Sequence, residues 1–319
     1  MKQWEDITRV SLPLPFPLKV IHSYLIRGSN GYTIIDTGLN YPESRSVWEK
    51  TKEEMGWKWS QVERIVLTHY HPDHYGMAGF LQQRTGAPVY VSRTDYEQAQ
   101  LFWGEGSEQP EVLARFFAWH GLTGDILSEI PAHLRSFNKW VEPHPTPTFI
   151  AGGEKILLGD REYQIFHTPG HADGHLSFYD PEREWLIGGD FLLPRITPNI
   201  SLWPGCDPDP LATYLKTLDK MASLPVKKVF PSHGPVFEHY KERINELRKH
   251  HQQRLEEMKN KVGNGSHAMK ICNEHFGHNL SIHNLRFALS ETLAHLEYLV
   301  NQGELKREER DGVWYYFNT

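Results

Sequence analysis

The chain of 319 residues has only two cysteines and no long apolar run. Cys206 and Cys272 lie far apart and form no Cys-x-x-Cys pair, which argues against a disulfide scaffold or a cysteine-based zinc module. Two isolated cysteines are typical of a reducing cytosol. Prolines at 13, 15 and 17 interrupt the apolar run near the N-terminus, so we expect neither a signal peptide nor a membrane span there. The sequence therefore predicts a cytoplasmic protein.

The chain also lacks an excess of positive charge, since Asp and Glu outnumber Lys and Arg. The formal net charge is -6, which argues against bulk affinity for nucleic acid or membranes but leaves room for a local basic site. Residues 241–319 carry 12 Lys and Arg against 11 Asp and Glu, so even this more basic segment is nearly balanced. We expect a small molecule as the partner, with RNA or DNA as the alternative, and a homodimer as a further alternative.

Short strand patterns outnumber helix patterns in the first two thirds of the chain. This predicts an α/β sandwich with mixed sheets over residues 1–240. Residues 93–150 interrupt the strands with an aromatic-rich, mostly helical insertion, which is either an extra layer or a lid. Residues 241–319 read as helices followed by a hairpin that turns at Asp311-Gly312, an order typical of a smaller winged-helix-like domain.

The stretch LTHYHPDHYG contains three histidines and one aspartate within six residues. His69 and His71 are two residues apart, so on an extended chain both side chains point the same way and can reach one metal ion. Pro72 bends the chain, which leaves Asp73 and His74 to face a neighbouring position. Imidazole and carboxylate ligands suit Zn, and also Fe or Mn.

Further candidate ligands follow later strands of the sequence. His171 lies in HTPGHADGH, Asp190 in LIGGDFL and His233 in VFPSHGP. Glycine and proline turns after these strands expose such side chains at the rim of a sheet. His175 in the same stretch as His171 is expected to be a structural or supporting residue and not a ligand.

Taken in order, H-x-H-x-D-H, T-P-G-H, G-D and S-H-G resemble the motifs of the metallo-β-lactamase superfamily over residues 10–240. The resemblance is to its glyoxalase II-like and lactamase-beta-like groups, and it implies the αββα sandwich. It implies that Asp36 in IIDTG orients the ligands, and that Asp190 bridges two metal ions. The implied ligands are His69, His71 and His171 for the first ion and Asp73, His74 and His233 for the second.

The resemblance implies a metal-dependent hydrolase with two divalent ions, zinc first, with Fe or Mn as alternatives. A hydroxide held by both ions would attack the substrate, and Asp73 is the candidate catalytic proton shuttle. A small ester, thioester or lactone is the expected substrate. An endoribonuclease or phosphodiesterase of the lactamase-beta-like type is the alternative. A winged-helix regulator that senses a ligand through its hydrolase domain is the non-enzyme alternative.

Overall fold

The computed structural model describes all 319 residues, which fall into two compact units. Unit 1 contains residues 1–103, 137–198 and 224–240. Unit 2 contains residues 104–136, 199–223 and 241–319. One of the boundaries therefore lies between residues 240 and 241, and unit 2 also takes in most of the helical insertion.

Unit 1 contains two β-sheets. The first has seven strands in sequence order, and the second has five strands in the order β12-β11-β10-β9-β8. The strands of the first sheet are β1 (Lys2–Trp4), β2 (Ile7–Pro13), β3 (Val20–Arg27), β4 (Tyr32–Ile35), β5 (Val62–Val66), β6 (Val89–Val91) and β7 (Pro147–Phe149). The strands of the second are β8 (Lys155–Leu158), β9 (Arg161–His167), β10 (Leu176–Asp180), β11 (Trp185–Gly189) and β12 (Lys228–Pro231).

Both sheets are mixed. Strands β1 to β4 pair antiparallel and β4 to β7 pair parallel, while in the second sheet only β11 and β12 are parallel. The main core of unit 1 is built by apolar side chains from both sheets, so the sheets pack face to face. Its buried members are Ile7, Tyr24, Ile26, Ile35, Val66, Ile156, Leu158, Tyr163, Ile165, Leu176, Phe178, Ile187 and Phe230.

Four helices belong to unit 1: α1 (Pro42–Met55), α2 (Pro72–Tyr75), α3 (Ala78–Thr85) and α4 (Arg93–Trp103). Proline occupies the start of α1 and of α2, where its missing N–H has no role in the helix. Helix α1 ends at Gly56 in the left-handed conformation, and α3 ends at Gly86 in the same way. Helix α2 is a single turn that carries Asp73 and His74 of the LTHYHPDHYG stretch.

Unit 2 is mostly helical and includes one small sheet. Its elements are α5 (Gln109–Trp119), α6 (Asp125–Arg135), α7 (Pro210–Met221), α8 (Tyr240–Val262), β13 (Ser266–His267), α9 (Ala268–Phe276), α10 (Ile282–Asn301), β14 (Leu305–Arg310) and β15 (Val313–Asn318). The sheet order is β13-β15-β14, and all pairs are antiparallel. The β14–β15 turn is made by Asp311 at φ 51° and Gly312 at φ 78°, as expected for a two-residue hairpin turn. No helix of the protein combines the length and apolar character needed to cross a bilayer.

Candidate metal centre

The carboxyl ends of six strands meet at one edge of unit 1. β4, β5 and β6 are mutually parallel in the first sheet, and β9, β11 and β12 share one direction in the second. Loops that follow such strands can place side chains around one point. The structure brings all seven predicted ligands together there. They are His69, His71, Asp73 and His74 after β5, His171 after β9, Asp190 after β11 and His233 after β12.

Three imidazoles form the first half-site. His69 Nε2 lies 3.0 Å from His71 Nδ1, and His71 Nδ1 lies 3.0 Å from His171 Nε2. Two nitrogens bound to one zinc ion at 2.0–2.1 Å in a tetrahedron lie about 3.3 Å apart. The spacing of the three nitrogens therefore fits a single small divalent ion.

A second half-site lies beside the first and shares Asp190 with it. Asp73 Oδ2 lies 3.4 Å from His233 Nε2 and 3.8 Å from His74 Nε2. Asp190 Oδ2 lies 3.5 Å from His171 Nε2 and 3.6 Å from the Nε2 atoms of both His74 and His233. One carboxylate oxygen is thus within reach of ligands from both half-sites, which is the geometry expected of a bridging ligand.

Asp36 orients two of these histidines from behind. Its carboxylate accepts hydrogen bonds from the backbone N–H of Thr68, the Thr68 hydroxyl and His74 Nδ1, each at 2.8 Å. The Thr68 hydroxyl in turn lies 3.0 Å from His69 Nδ1. These hydrogen bonds hold a proton on Nδ1 of His69 and of His74, so that each Nε2 faces the site.

Two further contacts position the remaining ligands. His233 Nδ1 donates to the backbone carbonyl of Val20 at 2.9 Å, which directs Nε2 into the site. The backbone N–H of Asp190 donates to Nε2 of the buried His175 at 3.1 Å, so His175 supports a ligand and points away from the metal positions. Gly189 has φ 54°, and a Cβ there would lie 2.6 Å from His175 Nε2, so only glycine fits before Asp190.

Burial and neighbouring carboxylates strongly shift the pKa values of the histidines at this centre. Burial lowers the pKa of His69 and His71 well below the usual value, so both imidazoles are neutral and ready to bind a cation. Burial also opposes charging of His74, but Asp190 and the neighbouring carboxylates outweigh it and raise the pKa of His74 well above its usual value. A divalent ion held there would therefore displace a proton from His74.

Two buried atoms of the centre have no hydrogen-bond partner within the protein. They are His74 Nε2 and Asp190 Oδ1. Orphaned polar atoms at buried positions are uncommon in native structures, and an ion is one established explanation for them. Asp36 holds His74 through Nδ1, and His175 holds Asp190 through its backbone N–H, so the residues present fit divalent metal ions. The His and Asp clusters are able to bind metal.

Sequence reasoning missed three groups that hold this centre. Thr68 links Asp36 to His69, and its position directly before the first histidine was the only available signal. Val20 acts through its backbone carbonyl, which no side-chain pattern can reveal. Asp95 accepts backbone N–H groups from two ligand loops although it lies outside every recognised motif.

Comparison with known proteins agrees with this geometry. Residues 17–233 match the model of the metallo-β-lactamase superfamily, and residues 255–319 match that of a metallo-β-lactamase-like C-terminal domain. The chain is 24% identical over 323 residues to the protein named "Probable metallo-hydrolase YqjP" of Bacillus subtilis, with 99% of this chain and 98% of that protein covered.

Solved structures give the same result. A metallo-β-lactamase family protein of Thermus thermophilus superposes with a TM-score of 0.88 at 31% identity, covering 99% of both chains. A protein solved in a di-iron-bound form, TTHA1623, superposes with a TM-score of 0.50 at 27% identity over 74% of this chain and 96% of that one. These matches confirm the predicted α/β fold with a helical C-terminal part. The chain belongs to the metallo-β-lactamase superfamily and is a metallo-hydrolase.

Proposed function

We propose that this chain uses two divalent metal ions to hydrolyse a small ester, thioester or lactone. Zinc is the first candidate and iron or manganese the alternative. The observation that carries the proposal is Asp190 Oδ2, which lies within 3.6 Å of ligand atoms from both half-sites. Bound ions would supply Lewis acidity, lowering the pKa of a water molecule towards ~7 and polarising the substrate carbonyl. The di-iron form of TTHA1623 supports two ions in this fold.

The protein's own groups account for binding and proton handling. His69, His71 and His171 would hold one ion, and Asp73 with its two neighbouring histidines would hold the other. Burial raises the pKa of the Asp73 carboxyl, but His74 and His233 outweigh it and bring that pKa to about 2. Asp73 is therefore a carboxylate at neutral pH that is ready to bind a cation, and its place beside the metal positions supports the proposed role as proton shuttle. Its side chain is 19% exposed, which allows exchange with solvent.

Apolar side chains beside the second half-site favour a substrate with an apolar acyl group. The Val20 carbonyl is bonded to His233, so the preceding Pro-rich loop lies next to a ligand. Val20 is 37% exposed and Leu18 is 40% exposed. Apolar side chains of this kind suit an acyl chain better than a phosphodiester backbone, which is bound chiefly by Lys and Arg.

We also propose that residues 241–319 form a winged-helix-type module. The element order α8, β13, α9, α10, β14, β15 and the pairing of β13 with β15 support this. In such modules the third helix is the one that would enter a nucleic-acid groove. Here that helix, α10, packs against α6, α7 and α9 of the same unit, and most of its residues from Leu285 to Leu299 are buried. Its burial favours a structural role over nucleic-acid binding.

The test combines metal analysis with a substrate panel. Purified full-length protein should contain close to two metal ions per chain and should hydrolyse thioesters or lactones faster than phosphodiesters. His233→Ala should lower both metal content and turnover, whereas His239→Ala, at an exposed histidine near by in sequence, should change neither. Turnover of RNA or a generic phosphodiester without ester turnover would establish the nuclease alternative. Light scattering on the same sample tests the homodimer alternative.

A further inference from the structure

Asp95 lies in the first turn of α4, and its side chain is fully buried. One carboxylate oxygen accepts the backbone N–H of Tyr70 at 3.2 Å, and the other accepts the backbone N–H of Gly174 at 2.7 Å. Tyr70 lies between His69 and His71, and Gly174 follows His171 by three residues. One carboxylate thus joins the two loops that carry the three nitrogens of the first half-site.

The surroundings of Asp95 are fitted to this contact. A Cβ on Gly174 would lie 2.6 Å from Asp95 Oδ1 and 2.3 Å from Ser92 Oγ, so only glycine lets this loop approach so closely. Ser92 Oγ accepts the backbone N–H of Asp95 at 3.1 Å, which fixes the start of α4.

A buried carboxyl at this position destabilises the fold unless its oxygens accept hydrogen bonds. Burial raises the pKa of Asp95 to about 8, although the Gly174 N–H partly counteracts this. An apolar residue of similar size would avoid the desolvation penalty altogether. It would also leave the two backbone N–H groups buried without an acceptor, and would release the loops from each other.

We propose that Asp95 is a positioning residue of the first half-site, which sets the distance between the loops of residues 69–71 and 168–175. The inference rests on the proposed metal site. The ligands of the second half-site are held by other groups, since His74 is bonded to Asp36 and His233 to the Val20 carbonyl. Asp95 therefore acts selectively on the first metal ion.

The experiment measures zinc affinity in full-length protein that carries His233→Ala, which disables the second half-site. In this background, Asp95→Ala should weaken zinc binding by ~10- to 100-fold, the range typical of residues that orient ligands. Asp95→Asn retains one carbonyl oxygen, so its zinc affinity should fall between that of the His233→Ala parent and that of Asp95→Ala. Zinc affinity is measured by competition with a chromophoric chelator, and the unfolding free energy of metal-free protein is measured in parallel.

Asp180→Asn is the matched control. Asp180 is also buried and also accepts two backbone N–H groups, from Glu182 at 2.9 Å and Arg183 at 3.2 Å. It lies at the end of β10 that is remote from the metal centre. This control should lower stability and leave zinc affinity unchanged.

A zinc affinity in Asp95→Ala or Asp95→Asn equal to that of the His233→Ala parent would overturn the proposal, as would equal losses in the Asp95 and Asp180 variants. Protein with His233 intact that binds two metal ions but hydrolyses no ester, thioester or lactone would refute the proposed function. The affinity differences would still decide the role of Asp95.

Discussion

Two histidines buried in unit 2 give a prediction about stability and pH. His295 Nδ1 donates to the backbone carbonyl of Glu291 at 2.7 Å, so its Nε2 must accept the proton of His251 Nδ1, which lies 3.1 Å away. His251 is 1% exposed and His295 is fully buried. A proton added to either ring would place a charge in this interior and disrupt the chain of donors and acceptors.

The magnitude follows from proton linkage. Burial, with help from neighbouring cationic groups, lowers the pKa of His251 to about 2 and that of His295 to about 3. The unfolded chain has a histidine pKa near ~6.5, so it binds protons that the folded chain refuses as the pH falls below that value. Stability is therefore full above pH ~6.5 and is lost progressively as the pH falls towards 3. Between pH 7.5 and 5.5 each ring lowers the unfolding free energy by ~1.4 kcal/mol, or ~2.7 kcal/mol for both.

The assay is urea unfolding of chelator-treated protein at pH 7.5 and pH 5.5. His251→Asn keeps an amide N–H that can donate to His295 but removes one titrating group. Its loss of unfolding free energy over this interval should be smaller than the wild-type loss by ~1.4 kcal/mol. His278→Asn, at an exposed histidine of the same unit, is the control and should show the wild-type loss. An equal pH dependence in His251→Asn and wild type would refute the reasoning.

Three further outcomes are expected. Asp73→Asn with both metal ions bound should lower kcat by ~10²- to 10⁴-fold through loss of the proton acceptor, and full activity at full metal content would exclude that role. Gly189→Ala should destabilise the protein by ~1–3 kcal/mol more than Gly263→Ala in urea unfolding, because the two glycines have φ 54° and φ 56° but only the first faces a close contact. Removal of the metal ions with a chelator, from a starting free concentration of 100 times the Kd, should lower the unfolding free energy by ~2.7 kcal/mol per site. The loss is measured as a lower Tm, and an unchanged Tm would contradict a structural contribution of the ions.

The local structure could be predicted closely where periodicity or turn chemistry is strong. The run VIHSYLIR predicts a strand over Val20–Arg27, which is β3, and the segment from Glu43 to Met55 predicts a helix, which is α1. Strand β7 was not predicted, because Pro147–Phe149 is only three residues long and two of these are exposed. Its pairing with β6 is decided by tertiary packing and leaves no alternation in the sequence.

The sequence marks the seven candidate ligands and two of their supports, Asp36 and His175, but not the supports Thr68, Val20 and Asp95. Ligands must be His or Asp, and they follow strands at fixed motifs, so the sequence marks them. A supporting group needs only an acceptor at the right point in space. Asp95 lies 21 or more residues from every predicted ligand, and Val20 contributes a backbone oxygen. Only the folded chain reveals such groups, because their role depends on position and not on residue type.

The polar residues of α10 explain why residues 241–319 belong to a larger unit. The structure buries most of them within unit 2. Glu291 pairs with Arg254 at 2.7 Å and accepts a hydrogen bond from Asn199 at 2.9 Å, while Glu297 accepts one from the Tyr316 hydroxyl at 2.8 Å. Because Asn199 comes from the 199–223 segment, one of the hydrogen bonds to Glu291 depends on that segment. A helix whose polar side chains are already engaged inside its own unit has few left to contact a nucleic acid, which again favours a small-molecule substrate.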